Sequence, residues 1–250
     1  ENIELARDNF GTSDPSRTGA NLTSRENKVA IFIPGMGFNY TVNNVTSIFG
    51  GIHKGFSPPG NQAGQESEES INYELGSRFN INGLRGEVIG FYNDYSNLLG
   101  SDLAASGGTG SLEQFNAGEV QVKGIELLLN YDLLKNNTSY ALPISFGYTF
   151  TDTAFLNSFG SDDGLWGEVN KGDELPYIAK HQFNTSITLE HARYEFSIGG
   201  RLNGAFKTIA SADSVNEDNG IQSNFIIDFS GKYHISKTVS LTSKIINALD

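Results

Sequence analysis

Few residues in this chain could make or break a bond. There are four histidines and no cysteine among 250 residues. His53, His181, His191 and His234 fall in separate segments, so no Ser-His-Asp set can be assembled, and each reads as a strand-end or wall residue rather than a base. Without cysteine, disulfide frameworks and thiolate-ligated metal sites are excluded. Two acidic stretches, "SDDG" (161–164) and "NEDNG" (216–220), carry oxygen donors suited to a hard cation. Neither has EF-hand spacing, and both read first as acidic turns. "GGTGS" (107–111) is glycine-rich, but no strand-turn-helix context supports a phosphate loop. Four basic residues, Lys54, Arg78, Lys123 and Arg201, lie on or near strand-like segments. They could contact an anionic ligand; the plainer reading is that they balance Glu74, Glu126, Glu195 and Asp228. Lys54 and Lys123 lie near the long-loop ends and are the better ligand candidates of the four. No residue is assigned here as catalytic, metal-binding, cofactor-binding or substrate-binding.

Composition narrows the class. The formal net charge is −12, the reverse of what neutralising phosphate requires, so no nucleic-acid partner is expected. Hydrophobic residues make up 38% and the mean hydropathy is −0.30. No run of about 18 apolar residues exists, so no transmembrane helix is expected. With 29 Gly, 17 Phe and 10 Tyr against one Met, the composition favours strands and turns over helical bundles.

The elements that would position these residues share a period of two. "SINYELGSRFNI" sets Ile71, Tyr73, Leu75 and Phe79 against Asn72, Glu74 and Arg78. "KGIELLLNYDL" sets Ile125, Leu127, Leu129 and Tyr131 against Glu126, Leu128, Asn130 and Asp132. "HQFNTSITLEH" sets Phe183, Thr185, Ile187 and Leu189 against Asn184, Ser186, Thr188 and Glu190. The same alternation recurs in "YALPISFGYTFTD", "YEFSIGGRLNGAF" and "SNFIIDFSGKYHI". Such segments run to about 9–13 residues, longer than the usual globular strand.

Connector lengths alternate as well. Short connectors are "NING" (80–83), "KNNTS" (135–139), "HAR" (191–193) and "SKT" (236–238). Long ones are 10–30, 57–69, 97–121, 155–179 and 207–222. In a meander, this puts short turns at one end and long loops at the other. Together with strands of about ten residues, that is the pattern of an outer-membrane barrel, with lipid on the apolar face and a wet lumen on the polar one. A soluble sandwich inverts the two faces, and alternation alone does not separate them; strand length and loop asymmetry favour the membrane. Tyr140, Phe150, Tyr194, Phe206 and Tyr233 suit interfacial girdles. The expected fold is an all-β, antiparallel, up-and-down transmembrane barrel. About eleven strands are expected, from "NIELARDN" to "VSLTSKIINALD". An odd number does not close a bacterial barrel, so residues 1–250 are expected to be a partial barrel cut from a longer protein.

Five segments in order resemble the barrel of TonB-dependent outer-membrane receptors: "HKGFSPP" with "ESINYELGSRF", then "GEVIGFYNDYSNLL", "NAGEVQVKGIELLLNYDL", "GDELPYIAKHQFNTSITLEH" and "SLTSKIINALD". Within that family the pattern is similar to ferric-siderophore receptors of the ferric dicitrate group. The resemblance implies a 22-stranded barrel of which this chain is the C-terminal part, with plug domain, energy-coupling box and final strand outside it. It implies uptake of a ferric siderophore or similar scarce nutrient across the outer membrane of a Gram-negative bacterium, driven by TonB. It also implies contact with outer-membrane lipid, no cofactor and no enzymatic step. Loops 97–121 and 155–179 are then the expected ligand face. A passive porin-like channel shares the strand pattern and differs in lacking a plug; a soluble β-rich binding or adhesion domain is the other alternative.

Overall fold

The computed structural model describes residues 2–9, 23–58, 66–99, 117–160 and 168–249, with backbone alone for 2–9 and 23–29. The strands are β1 (Asn2–Asn9), β2 (Thr23–Ala30), β3 (Gly35–Asn43), β4 (Thr46–Ser57), β5 (Glu68–Ile81), β6 (Leu84–Ser96), β7 (Val120–Asp132), β8 (Tyr140–Ala141) and β9 (Pro143–Phe155). They continue with β10 (Phe159–Gly160), β11 (Glu168–Val169), β12 (His181–His191), β13 (Tyr194–Asn203), β14 (Phe206–Lys207), β15 (Gly220–Ile221), β16 (Asn224–His234) and β17 (Ser240–Ile245). No helix occurs among the described residues.

Ten of these strands form one antiparallel meander, β3-β4-β5-β6-β7-β9-β12-β13-β16-β17, and the short β8 joins the same sheet beside β12. Its edges, β3 and β17, are open. The eleven-stranded sheet agrees with the expected number, but its membership differs. "NIELARDN" lies outside it, as β1 paired to β2 with Asn2 opposite Ala30 and Asn9 opposite Thr23. Residues 23–30, read from sequence as part of a long loop, are therefore a strand.

The turns confirm the asymmetry. Short connections at 82–83, 133–139, 192–193 and 235–239 lie at one end, and connections 58–67, 97–119, 156–180 and 204–223 at the other. A further short turn, at Asn44 and Val45 between β3 and β4, is missing from the sequence reading; there Asn43 Oδ1 accepts from Val45 N at 2.9 Å. Between β5 and β6 the chain reverses in two residues. Asn82 (φ 51°) and Gly83 (φ 89°) both take the left-handed conformation that a tight hairpin of this hand demands, with Ile81 opposite Leu84. The run "YALPI" does not make one unbroken strand. Leu142 N donates to Asp132 Oδ1 at 2.8 Å and ends β8 before Pro143 opens β9.

Register fixes the faces, because cross-strand partners share one side. One row runs Val88, Leu127, Tyr148, Phe183, Leu202 and Phe225. Another runs Ile144, Ile187, Ile198, Phe229 and Ile245. Six of these side chains are exposed, Ile198 at 49% and Phe229 at 40%, and the other five are half-buried. An apolar band of this extent would be untenable in water and is what hydrocarbon requires. The intervening rows are polar, for example Ser47, Arg78, Glu87, Leu128, Gly147, Asn184 and Arg201. At the short-turn end Tyr140, His191, Tyr194 and Tyr233 form one row on the apolar face, with the Tyr140 and His191 rings 4.9 Å apart. This is an interfacial girdle. Of the five aromatics expected in girdles, three stand in it. Phe150 lies near the opposite end, across from His181, and Phe206 belongs to a loop hairpin across from Ile221.

Candidate functional site: the polar wall and the packed loop bases

The polar face is shaped by a repeated local device. Aromatic rings lie across glycines on the neighbouring strand: Phe49 over Gly76 and Phe91 over Gly124, so that a Cβ on either glycine would collide with the ring. Glycine clears the space, and the ring replaces the missing side-chain contact. Arg78 spreads over Phe49, its guanidinium carbon 4.1 Å from the ring centroid, and pairs with Glu87. Arg201 stands 3.7 Å from Asp228. Both arginines are thus committed to wall carboxylates, as the plainer sequence reading holds.

Above them, toward the long-loop end, the wall changes character. His53, Asn72, Asn93 and Val122 form one cross-strand row, and Gly51, Glu74, Phe91 and Gly124 the next. Of these, His53, Asn72, Asn93, Glu74 and Phe91 line, with Glu126 and Ile89, an open concavity of about 310 Å³. Asn72 Nδ2 donates to Ser70 Oγ at 3.0 Å. Glu74 and Glu126 enter no ion pair among the described residues.

Lys54 and Lys123 do not face this concavity. Register places Lys54 opposite Ile71 and Lys123 opposite Tyr92, on the apolar-face rows. There Lys54 pairs with Glu69 at 2.7 Å and Lys123 with Asp152 at 3.5 Å. Both stand near the loop end, as expected, but the alternation turns them outward.

The loop bases hold the protein's one packed interior among the described residues. Leu98, Ala117, Val120, Phe155, Val169, Leu175 and Ala210 are buried together, with Tyr95, Val122, Phe159 and Ile178 packed against them. Val120 and Phe155 reach it from the polar face of β7 and β9, where they are cross-strand partners. The other members come from three different long loops. Backbone bonds fasten the assembly: Leu98 N donates to Gly118 O at 3.0 Å, Phe155 N to Asp173 O at 2.9 Å and Glu174 N to Ser211 O at 3.0 Å. Leu175 N donates to the buried Thr153 Oγ1 at 3.0 Å. A chain of alternating charges runs alongside. Asp152 joins Lys123 to Lys180, and Glu174 joins Lys180 (2.8 Å) to Lys207 (3.2 Å). The hydrogen bond to Glu174 holds the Lys180 ammonium above its ordinary range, with Asp152 adding to it and partial burial opposing. Lys207 is 4% exposed and also donates to Ser211 O at 2.6 Å. Glu174, Lys180 and Lys207 were not singled out in the sequence, since each sits in an aperiodic loop.

The histidines remain apart. His181 Nδ1 lies 2.9 Å from Tyr148 Oη on the apolar face, and His234 Nδ1 lies 2.9 Å from Ser240 Oγ at the opposite end. No group of three or more His, Cys, Asp or Glu that could hold a metal occurs among the described residues. The "NEDNG" turn satisfies itself: Asn216 Oδ1 accepts from Asp218 N and Asn219 N. "SDDG" and "GGTGS" lie outside the described residues.

Comparison with known proteins agrees with this geometry. The family model described as TonB dependent receptor-like, beta-barrel, matches residues 4–248. The siderophore receptor PiuA of Acinetobacter baumannii is similar over 99% of this chain, at 18% identity and a TM-score of 0.73. The ferric yersiniabactin uptake receptor FyuA of Yersinia pestis is similar over 92%, at 16% identity and 0.66. The unliganded ferric citrate transporter FecA is similar over 91%, at 16% identity and 0.68. The chain spans only about a third of each, 35%, 34% and 35% respectively. No curated protein matches the sequence.

Proposed function

The chain belongs to the TonB-dependent receptor β-barrel family, and on that premise we propose that it is one sector of an outer-membrane receptor for a ferric siderophore or similar scarce nutrient. In this reading the apolar rows meet lipid and the polar rows line the lumen. The long loops face outside the cell and the short turns face the periplasm. The rest of the receptor supplies a plug and the segment that TonB engages, and the open edges β3 and β17 pair with its remaining strands. Uptake then consists of binding at the loop end followed by TonB-driven movement of the plug. No bond is made or broken in it, so no catalytic residue is required.

The observation that carries the proposal is the pairing of a mainly apolar face with a polar opposite face in strands of 10–14 residues, β5 to β7, β9, β12, β13 and β16. The siderophore receptors of like fold favour iron chelates as cargo. Deleting the full-length gene and growing the strain on defined iron sources tests it. Loss of growth on one ferric chelate, restored by the intact gene, is the expected result. Recovery of the full-length product from a wash without detergent would refute the barrel. Unchanged growth on every ferric chelate would remove iron as the cargo.

A further inference from the structure

We propose that the ligand passing this wall carries no net negative charge: a neutral or cationic ferric chelate, held by amide and carboxylate groups and by ring stacking, and not a polyanionic one. The inference rests on the receptor reading above and specifies its cargo.

The polar face of β3 to β16 carries no lysine or arginine above the row of Arg78 and Arg201. The concavity above that row presents Glu74 and Glu126, both exposed and without a cationic partner among the described residues. Beside them stand the amides of Asn72 and Asn93, the imidazole of His53 and the face of Phe91. The nearby cations are spent elsewhere. Lys54 and Lys123 turn to the outer face, and Lys180 and Lys207 are tied to Asp152 and Glu174. Lys171, at a loop turn, is not on the wall. The formal charge of −12 sets the long-range field in the same sense. A trianionic chelate entering here would be repelled at the wall and at a distance, with no lysine or arginine on the described polar face above the Arg78 and Arg201 row to offset it. A neutral or cationic chelate meets hydrogen-bond partners for its amide and hydroxamate oxygens and carboxylates for any ammonium group.

The test uses the full-length receptor in detergent and three probes of graded charge: ferric dicitrate (anionic), ferrichrome (neutral) and ferrioxamine B (cationic). Affinities are measured for the wild type and for E74Q/E126Q, a near-isosteric change that keeps hydrogen bonding. The expected order places the anionic probe weakest. Removing the two charges should raise its affinity about tenfold and lower that of the cationic probe by a similar factor, both differences shrinking in high salt, with the neutral probe unchanged. Tightest binding of ferric dicitrate by the wild type, or a double variant that leaves all three affinities in place, overturns the charge inference while the receptor reading stands. Failure of all three probes, together with unaltered growth of the deletion strain on every chelate, defeats both. If the double variant does not fold, the wild-type order alone decides.

Discussion

A lysine at Ile187 probes which solvent each face of the sheet meets. Ile187 lies four residues before His191, in the row of Ile144, Ile198, Phe229 and Ile245. At about 3.3 Å per residue that is about 13 Å along the strand, and about 10 Å along the membrane normal for a tilt near 40°. The His191 row, with its tyrosines, marks the interface, so Ile187 sits close to the middle of the hydrocarbon. A lysine stem reaches part of the way back but leaves the ammonium in apolar surroundings. The expected cost of Ile187→Lys is about 2–3 kcal/mol, a loss of roughly 25- to 150-fold in the folding equilibrium. Ser186→Lys is the matched control. Ser186 stands between Ser145 and Gly199 on the polar face, and nothing but the Thr185 carbonyl oxygen lies within 4 Å of where a Cβ on Gly199 would sit. That substitution should cost less than about 0.5 kcal/mol. Both are measured in the full-length receptor, by heat-dependent electrophoretic mobility for assembly and by urea titration in lipid vesicles for stability. Equal losses at the two positions, or a greater loss at Ser186, would refute the assignment of faces.

Gly124→Ala should lower stability by about 1–3 kcal/mol, since the new methyl group strikes the Phe150 carbonyl oxygen and the Phe91 ring; the urea midpoint reports it, and an unchanged midpoint would contradict the close approach. Phe155→Ala, which empties the centre of the loop-base core, is expected to cost about 3–5 kcal/mol locally. Hydrogen exchange should then quicken at Ala117, Leu175 and Ala210 together while the wall strands keep their protection. Lys207→Met leaves Glu174 with Lys180 as its ion-pair partner, so the barrel should assemble normally. Limited proteolysis should cut faster within residues 204–223, and an unchanged digestion pattern would show that the buried ion pair does not fasten that loop.

The wall was legible from the sequence because its signal is strictly local. Each strand alternates on its own, so Ile187 and Ser186 could be assigned to opposite faces before any pairing was known. The hairpin at Asn82 and Gly83 was legible for the same reason. Three features were not. Residues 23–30, "TSRENKVA", lack apolar alternation, and only their pairing with β1 makes them a strand. Lys54 and Lys123 were placed correctly along the strand, but their side depends on phase, and one step of phase reverses the face. The loop-base core could not be read at all. Leu98, Ala117, Leu175 and Ala210 are isolated apolar residues in aperiodic loops, and what unites them is a meeting of segments distant in sequence.

That core also bears on how such a chain can change over time. Segments 100–116 and 161–167 each begin and end beside residues locked into it: Leu98 and Ala117 for the first, Phe159 and Val169 for the second. An insertion, a deletion or a wholesale exchange within either segment therefore leaves both anchor points where they were. The strand register below feels none of it. Selection can therefore rewrite the sequence between those anchors without renegotiating the architecture that carries it.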